Sequence, residues 1–246
     1  MRFKNKKVVV TGASRGIGSA IAKAFRAEGA WVIGTHTGTN TGTNTGTNTE
    51  VDDVCQEWVI SDFSDVEQIK ACADYLRKAE PDILINNAGI NKIAAFEEID
   101  PDDFLLIQQI NVFAPFLLMQ AAIPAMKIKK WGRIVNLSSI WGKVSKEQRA
   151  SYSASKFALD GMTVAFAAEH ASNGILANRI APGFFDTELT RRVLGEEGMN
   201  SLVATVPERR LGKVDEIAKF VLWLSSEENT YIAGQNIAID GGFSRV

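Results

Sequence analysis

Short apolar runs alternate with longer stretches of helical periodicity from one end of the chain to the other. KVVVTG (7–12) has the apolar character of a strand buried on both faces. GSAIAKAFRAEGA (18–30) follows with Ile21, Ala24 and Phe25 on one helical stripe and Gly29 as a stop. The same pattern gives strands at WVIGT (31–35), EWVIS (57–61), DILINNAG (82–89), GRIVNLSS (132–139), ILANRIAPG (175–183) and QNIAID (235–240). Helices are expected over 66–79, 151–171 and 214–226. A longer one covers PDDFLLIQQINVFAPFLLMQAAIPAMKIKK and should bend at Pro115, which lacks a backbone donor. From Phe184 to Pro207 the pattern is polar and less regular.

Near-continuous apolar strands separated by helices predict an α/β protein: a doubly wound parallel sheet with helices on both faces. The tract TGTNTGTNTGTNT (37–49) contains only threonine, glycine and asparagine, so it offers nothing to bury. It connects the second and third strands of one sheet, which makes it an expected exposed flap and not a domain boundary. Residues 1–246 therefore read as a single domain.

Composition narrows the function. The chain is 46% hydrophobic and 23% charged, proportions of a globular protein. A formal charge of −2 provides no electrostatic attraction for nucleic acid or an anionic membrane. The apolar run near the N-terminus is too short for a signal peptide, and no stretch approaches the length of a membrane span. A cytoplasmic protein is expected. Cys55 and Cys72 lack metal-like or redox spacing and read as free thiols. With His36 and His170 the only histidines, a His-rich metal site is excluded.

The first strand runs into TGASRGIG (11–18), where a helix begins. Gly12, Gly16 and Gly18 permit a tight turn, close backbone approach to a phosphate and tight helix packing, and a helix N-terminus offers free N–H groups to an anion. An ordinary turn would also explain glycines here, but their place between the first strand and first helix favours a dinucleotide. Ser14, Arg15 and Ile17 belong to the same candidate cradle. After the second strand, GTHTGT carries no acidic residue before Glu50. A cation at Arg15 with hydroxyls at Thr35 and Thr37 suits the 2′-phosphate of NADP, although Arg15 also fits as a solvated loop charge. Asp62 and Phe63 could meet the adenine; a helix N-cap at Asp62 or Ser64 is the alternative.

YSASK puts Tyr152 and Lys156 one helical turn apart on the same face. A free phenol titrates near pH ~10, and a nearby ammonium favours its ionised form. Alone, the spacing also fits a core tyrosine beside a surface lysine. Ser139, at the C-terminal end of a strand, is positioned to hydrogen-bond a substrate carbonyl. Asn111, mid-helix just before Pro115, either relieves the kink or anchors a water leading to Lys156.

Together TGASRGIG, NNAG (86–89), Asn111, Ser139, YSASK and PGFFDT (182–187) resemble the classical short-chain dehydrogenase/reductase family, from about residue 5 to 246. Within it the likeness is to bacterial 3-oxoacyl-acyl-carrier-protein reductases. The resemblance implies a Rossmann-type NADP-binding domain with Asn111, Ser139, Tyr152 and Lys156 as the catalytic set. Tyr152 would be the general acid, Lys156 would lower its pKa and hold the nicotinamide ribose, Ser139 would polarise the carbonyl, and Asn111 would support the proton relay. Asn87, Ala88 and Gly89 would pack on the adenosine and ribose, and Pro182, Gly183, Phe185 and Thr187 on the nicotinamide carboxamide. The residues 184–206, with Phe184, Phe185 and Leu189, would form the substrate lid. The implied substrate is a ketone or an acyl thioester, and the implied assembly a homotetramer. Acyl carrier protein is a further implied partner, for which Lys127, Lys129, Lys130 and Arg133 form a basic cluster that also reads as a solvated helix end. Asn173 stands where carrier-binding members resemble one another in having arginine. A small or aromatic ketone is the alternative substrate. A non-catalytic cofactor sensor could dispense with the catalytic set that this chain retains.

One prediction comes from the glycine turn. NADPH should bind more tightly than NADH, and Arg15→Ala should erase most of that preference in a fluorescence titration. A clear NADH preference in the unmodified protein would overturn the reading.

Overall fold

The computed structural model describes residues 1–38 and 54–245. Most of the repeat, with Glu50, lies outside these residues. The strands, in chain order, are β1 (Lys7–Val10), β2 (Trp31–His36), β3 (Glu57–Ile60), β4 (Ile83–Asn86), β5 (Gly132–Leu137), β6 (Ile175–Pro182), β7 (Phe185–Asp186), β8 (Gly212–Lys213) and β9 (Asn236–Ile239). Seven of them form a sheet in the order β3-β2-β1-β4-β5-β6-β9, and β7 pairs with β8 apart from it. Every pairing in the large sheet is parallel. The chain builds outward from β1 in one direction, then restarts at β4 and builds in the other. The crevice between β1 and β4 is thus the switch point at which α/β sheets bind ligands.

Alternating side chains explain the two layers of core. Val8, Val10, Ile83 and Ile85 face one side, packed by Ile21 and Phe25 of α1 (Gly16–Ala27). Ile217 and Val221 of a later helix, Val214–Leu224, close the same side. Val9 and Leu84 face the other, against Ile69 and Leu76 of α2 (Val66–Ala79). Because side chains on a strand alternate, one unbroken apolar run serves both faces. Cys55 and Cys72 are free and buried, and burial pushes the two thiols up to about 12 and about 11.

The long helical segment differs from a simple bend. It comprises α3 (Pro101–Gln108), a π-helical turn (Gln109–Phe113) and α4 (Ala114–Lys129), with Pro115 in the first turn of α4. A proline has no N–H for the preceding turn, and the helix widens there by shifting its hydrogen-bond ladder. By length and composition this run, Pro101–Lys129, would reach across a bilayer, contrary to the expectation from sequence. Here Leu118, Ala122 and Met126 are instead buried in the protein's own core.

Further along, α5 (Ala150–His170) covers the sheet, and a helix α6 (Glu188–Thr205) occupies the stretch that reads as irregular. Thr187 caps α6 by accepting from the Thr190 N–H at 3.1 Å, a start signal obscured by the glycines that follow at 195 and 198. Val214–Leu224 is α7.

Glycine placement is demanding at one position. A Cβ on Gly18 would sit 2.2 Å from the Gly12 carbonyl oxygen. Gly18→Ala should therefore lower the urea-unfolding midpoint by an overpacking cost of about 1–3 kcal/mol. An unchanged midpoint would show that the first turn of α1 yields more easily than its packing implies.

Candidate active site

The parallel sheet delivers the C-terminal ends of β1, β4, β5 and β6 to one edge, and the candidate residues follow those ends. At β1, Gly12 and Gly16 adopt φ values of 63° and 57°, which favour glycine. The N-cap of α1 is Arg15, whose side chain makes no capping bond, and a Cβ on Gly16 would meet nothing within 4 Å. Free N–H groups facing open space at a helix N-terminus fit a diphosphate. Arg15 is exposed, while Ser14 and Ile17 are half-buried beside it.

The turn after β4 is tied directly to this loop. Thr11 Oγ1 accepts from the backbone N–H groups of Asn87 and Ala88, each at 2.9 Å. Asn87 Nδ2 returns hydrogen bonds to the Thr11 and Gly12 carbonyls at 2.9 and 3.0 Å. Four hydrogen bonds thus fix the two lips of the β1–β4 crevice relative to each other. Gly89 continues toward Asn111 and Lys156: a Cβ there would lie 3.1 Å from Asn111 Oδ1 and 3.6 Å from Lys156 Nζ.

Asn111 sits in the π turn and is buried. Its side chain accepts from the Ile90 N–H at 2.9 Å and donates to the Ile90 carbonyl at 2.9 Å and to Ser155 Oγ at 3.0 Å. The amide thereby holds the NNAG turn and α5 together. This differs from relief of a kink, because the bonds run to other elements.

Ser139, just beyond β5, is buried, and its Oγ accepts from the Trp141 N–H at 3.2 Å. Tyr152 and Lys156 lie on α5. Burial pushes the Tyr152 phenol up, while its hydrogen bond to Ser139 and the charge of Arg149 pull it down. Lys156 Nζ donates to the Leu137 carbonyl at 2.9 Å and lies 5.4 Å from the centre of the Tyr152 ring. Burial, and secondarily the charge of Arg179, push Lys156 down to about 8. Arg149 is the cation that sequence reasoning missed. Its spacing of three residues before Tyr152, at the start of the same helix, was the available signal.

Several expected contacts are placed elsewhere. Thr35 is buried, and its Oγ1 accepts from the Gly12 N–H at 3.1 Å, so it supports the glycine loop from beneath and is not presented to a ribose. Thr37 is exposed after β2. Asp62 Oδ1 is engaged by the Ser64 N–H and hydroxyl at 2.9 and 2.8 Å. The cap of α2 is neither Asp62 nor Ser64 but Asp65. The Phe63 ring is buried in the core beside Ile69. Phe185 is likewise a core residue, its ring where a Cβ on Gly212 would collide at 2.4 Å. Pro182 ends β6, Gly183 follows half-buried, and Thr187 is spent on capping α6.

The basic cluster does not border this edge. Lys127 and Lys129 end α4, Lys130 caps it, and Arg133 belongs to the start of β5, whereas Ser139 follows the strand's end. Lys129 pairs with Asp82 at 2.8 Å, and Arg133 is buried with hydrogen bonds to the Ser226 and Asn229 carbonyls. One cluster member is therefore no surface charge at all, and the cluster sits at the opposite edge of the sheet.

On the open side stand three aromatic rings. Phe184 and Phe243 are 5.0 Å apart between ring centres, and Trp141 is 6.3 and 6.1 Å from them. A cleft of about 320 Å³ lies against Trp141 and Phe243, with Val144, Lys146 and Thr205 of α6 around it. Phe243 was not anticipated from sequence, since only folding carries the chain's end to this position. The side chain of Leu189 lies outside those described. Among the described residues no group of three or more His, Cys, Asp or Glu could hold a metal ion.

Known proteins resemble this chain in sequence and fold. The family profile described as enoyl-(acyl carrier protein) reductase matches residues 12–244. The 3-oxoacyl-[acyl-carrier-protein] reductase of Escherichia coli (strain K12) is 36% identical over 248 residues, covering 100% of both chains. The acetoacetyl-CoA reductase of Shinella zoogloeoides is 35% identical over 243 residues, 97% of this chain and 98% of that one. A crystal structure of a gluconate 5-dehydrogenase from Burkholderia cenocepacia J2315 in complex with NADP and tartrate superposes with a TM-score of 0.88. It is 28% identical, with 100% of this chain and 97% of that chain covered. On this match over nearly its full length, the chain belongs to the short-chain dehydrogenase/reductase family of oxidoreductases.

Proposed function

We propose that this protein is an NADP-dependent carbonyl reductase, acting reversibly on a secondary alcohol, with a 3-oxoacyl thioester as its first candidate substrate. The observation that carries the reading is the Ser139–Tyr152–Lys156 arrangement at the edge that also holds the glycine cradle. Gly12, Ser14, Arg15, Gly16, Ile17 and Gly18 would hold the diphosphate, with Asn87, Ala88 and Gly89 lining the crevice against the adenosine and ribose. When bound, the dinucleotide supplies the hydride.

The chain's own residues supply the proton and the geometry. The Ser139 hydroxyl orients the substrate carbonyl toward the phenol. Tyr152 holds the proton that the carbonyl oxygen takes up as it becomes an alkoxide. Lys156, charged and held by the Leu137 carbonyl, stabilises the phenolate left behind, and Arg149 adds a second positive charge from the helix start. A phenol kept neutral by burial in the resting site is a competent acid; the cations make losing its proton less costly. Hydrogen bonds already aimed at the developing charge need no reorganisation during reaction.

The thioester assignment rests on the names of the sequence relatives. The second reading, a smaller hydroxy acid or ketone, is favoured by the gluconate 5-dehydrogenase neighbour with its bound tartrate. It is also favoured by the position of the basic cluster, far from the site where a carrier protein would dock. The Trp141–Phe184–Phe243 wall accommodates an apolar body in either case. We infer further that residues 1–246 work as one unit in the cytoplasm, as a homotetramer, with α6 and its flanks as the substrate lid over 184–206.

Tyr152→Phe should abolish NADPH oxidation with any ketone while leaving NADPH binding within about threefold of the unmodified protein. Substantial residual turnover would refute the acid role. In a panel of acetoacetyl thioesters, keto sugar acids and simple ketones, the highest kcat/KM should fall on a thioester. A keto sugar acid in first place would select the second reading.

A further inference from the structure

Directly behind the lysine of the proposed catalytic set lies a charge pair that the chemistry described so far does not use. Arg179, on β6, is fully buried. Its side chain reaches under α5, where one guanidinium nitrogen donates to the Lys156 carbonyl at 3.0 Å and the other pairs with Asp160. The carbonyl of Lys156 points along the helix toward residue 160, so one planar guanidinium meets both this carbonyl and the Asp160 side chain from below. Asp160 is partly exposed, its side chain at 38%, so the arginine is deep and its counter-charge is at the surface.

We propose that the Arg179–Asp160 pair is a positioning device for Lys156, fixing the depth of its helical turn and setting the positive field in which its ammonium stands. Three features favour this over a purely structural pair. A buried ion pair is weak evidence for stability, because desolvation offsets its attraction. Arg179 is also not fully satisfied: among the described residues neither its Nε nor its Nη2 makes a hydrogen bond of regular geometry, although Nη2 lies against the Asp160 carboxylate as an ion pair. The bonds it does make fall on the residue that carries the ammonium and on the residue one turn later.

The charged and titratable surroundings of Lys156 are few. On α5 there is Tyr152; on β6 there is Arg179, whose own counter-charge on α5 is Asp160. The π turn contributes the amide of Asn111, the turn after β4 contributes Gly89, and β5 contributes the Leu137 carbonyl, all uncharged. A neighbouring guanidinium disfavours the ammonium, and the Asp160 carboxylate offsets it. The charge of Arg179 pushes Lys156 down; on this proposal the Asp160 carboxylate partly neutralises that charge, so removing the carboxylate should push Lys156 further down and removing the guanidinium should push it up. A pair that only braced the helix would give no such opposition of sign.

The inference rests on the proposed role of Lys156, and two separate readouts keep the two apart. With lysine 13C-labelled at Cε, the Lys156 resonance, assigned by its loss in Lys156→Met, is titrated in the cofactor-free protein. Asp160→Asn, a change at a partly exposed site, should move its midpoint down by about one pH unit, and Arg179→Met should move it up by a similar amount. Asp160→Glu should restore the original midpoint. An unmoved midpoint in Asp160→Asn, or movement of both variants in one direction, would overturn the proposal. Asp160→Asn decides it alone if Arg179→Met does not fold. The pH profile of kcat/KM is measured in parallel. A shifted lysine titration with Lys156→Met still fully active would sink the role of Lys156 and leave its electrostatic setting by the pair intact.

Discussion

Everything at this site depends on all seven strands of the large sheet running the same way. A parallel sheet places every C-terminal strand end at one edge, where backbone groups lose their ladder partners and must find others. At β1 and β4 they find one another through Thr11 and Asn87, whose four hydrogen bonds close the crevice into a fixed slot. At β5 the Leu137 carbonyl takes Lys156 Nζ as its donor. The lysine therefore does two jobs with one charge: it satisfies the end of a strand and stands beside the phenol.

The second constraint is how α5 is seated. Asn111 grips it through Ser155 while bonding both backbone groups of Ile90, and Arg179 grips it from the sheet side at Lys156. The π turn makes the first grip possible, because its widened ladder carries Asn111 in the middle of an otherwise regular helix. Tyr152 is thus held on a helix tied to β6, to the NNAG turn and to the wide turn before α4. Such bracing suits the proton-donor role proposed for Tyr152, which requires it to stay in line with a carbonyl.

Much of this was legible in the sequence because its signals are local. The glycines of TGASRGIG and the Tyr152–Lys156 spacing each declare themselves within a few residues. So does the apolar alternation of β1 and β4. What was not legible depends on which way a side chain turns or on partners far along the chain. Thr35 lies at a strand end where one face looks onto the glycine loop, and it took that face. Phe185 and Phe63 sit beside the right loops yet turn into the core, where an aromatic ring gains more from burial. Arg179 and Asp160 are nineteen residues apart and reveal nothing until β6 runs under α5. The basic cluster was misplaced for a simpler reason. Arg133 begins the very strand that Ser139 ends, and strand direction alone puts them at opposite edges.

The aromatic wall has a practical side. Phe243 stacks edge-on against Phe184 and Trp141 and closes one side of the cleft, whereas Met1 packs beside Gly29, ahead of β2 on the far rim. The two ends of the described chain are thus unequal as points of attachment. A fusion or immobilising handle at the front end leaves the mouth of that cleft clear, while one joined at the back end crowds it.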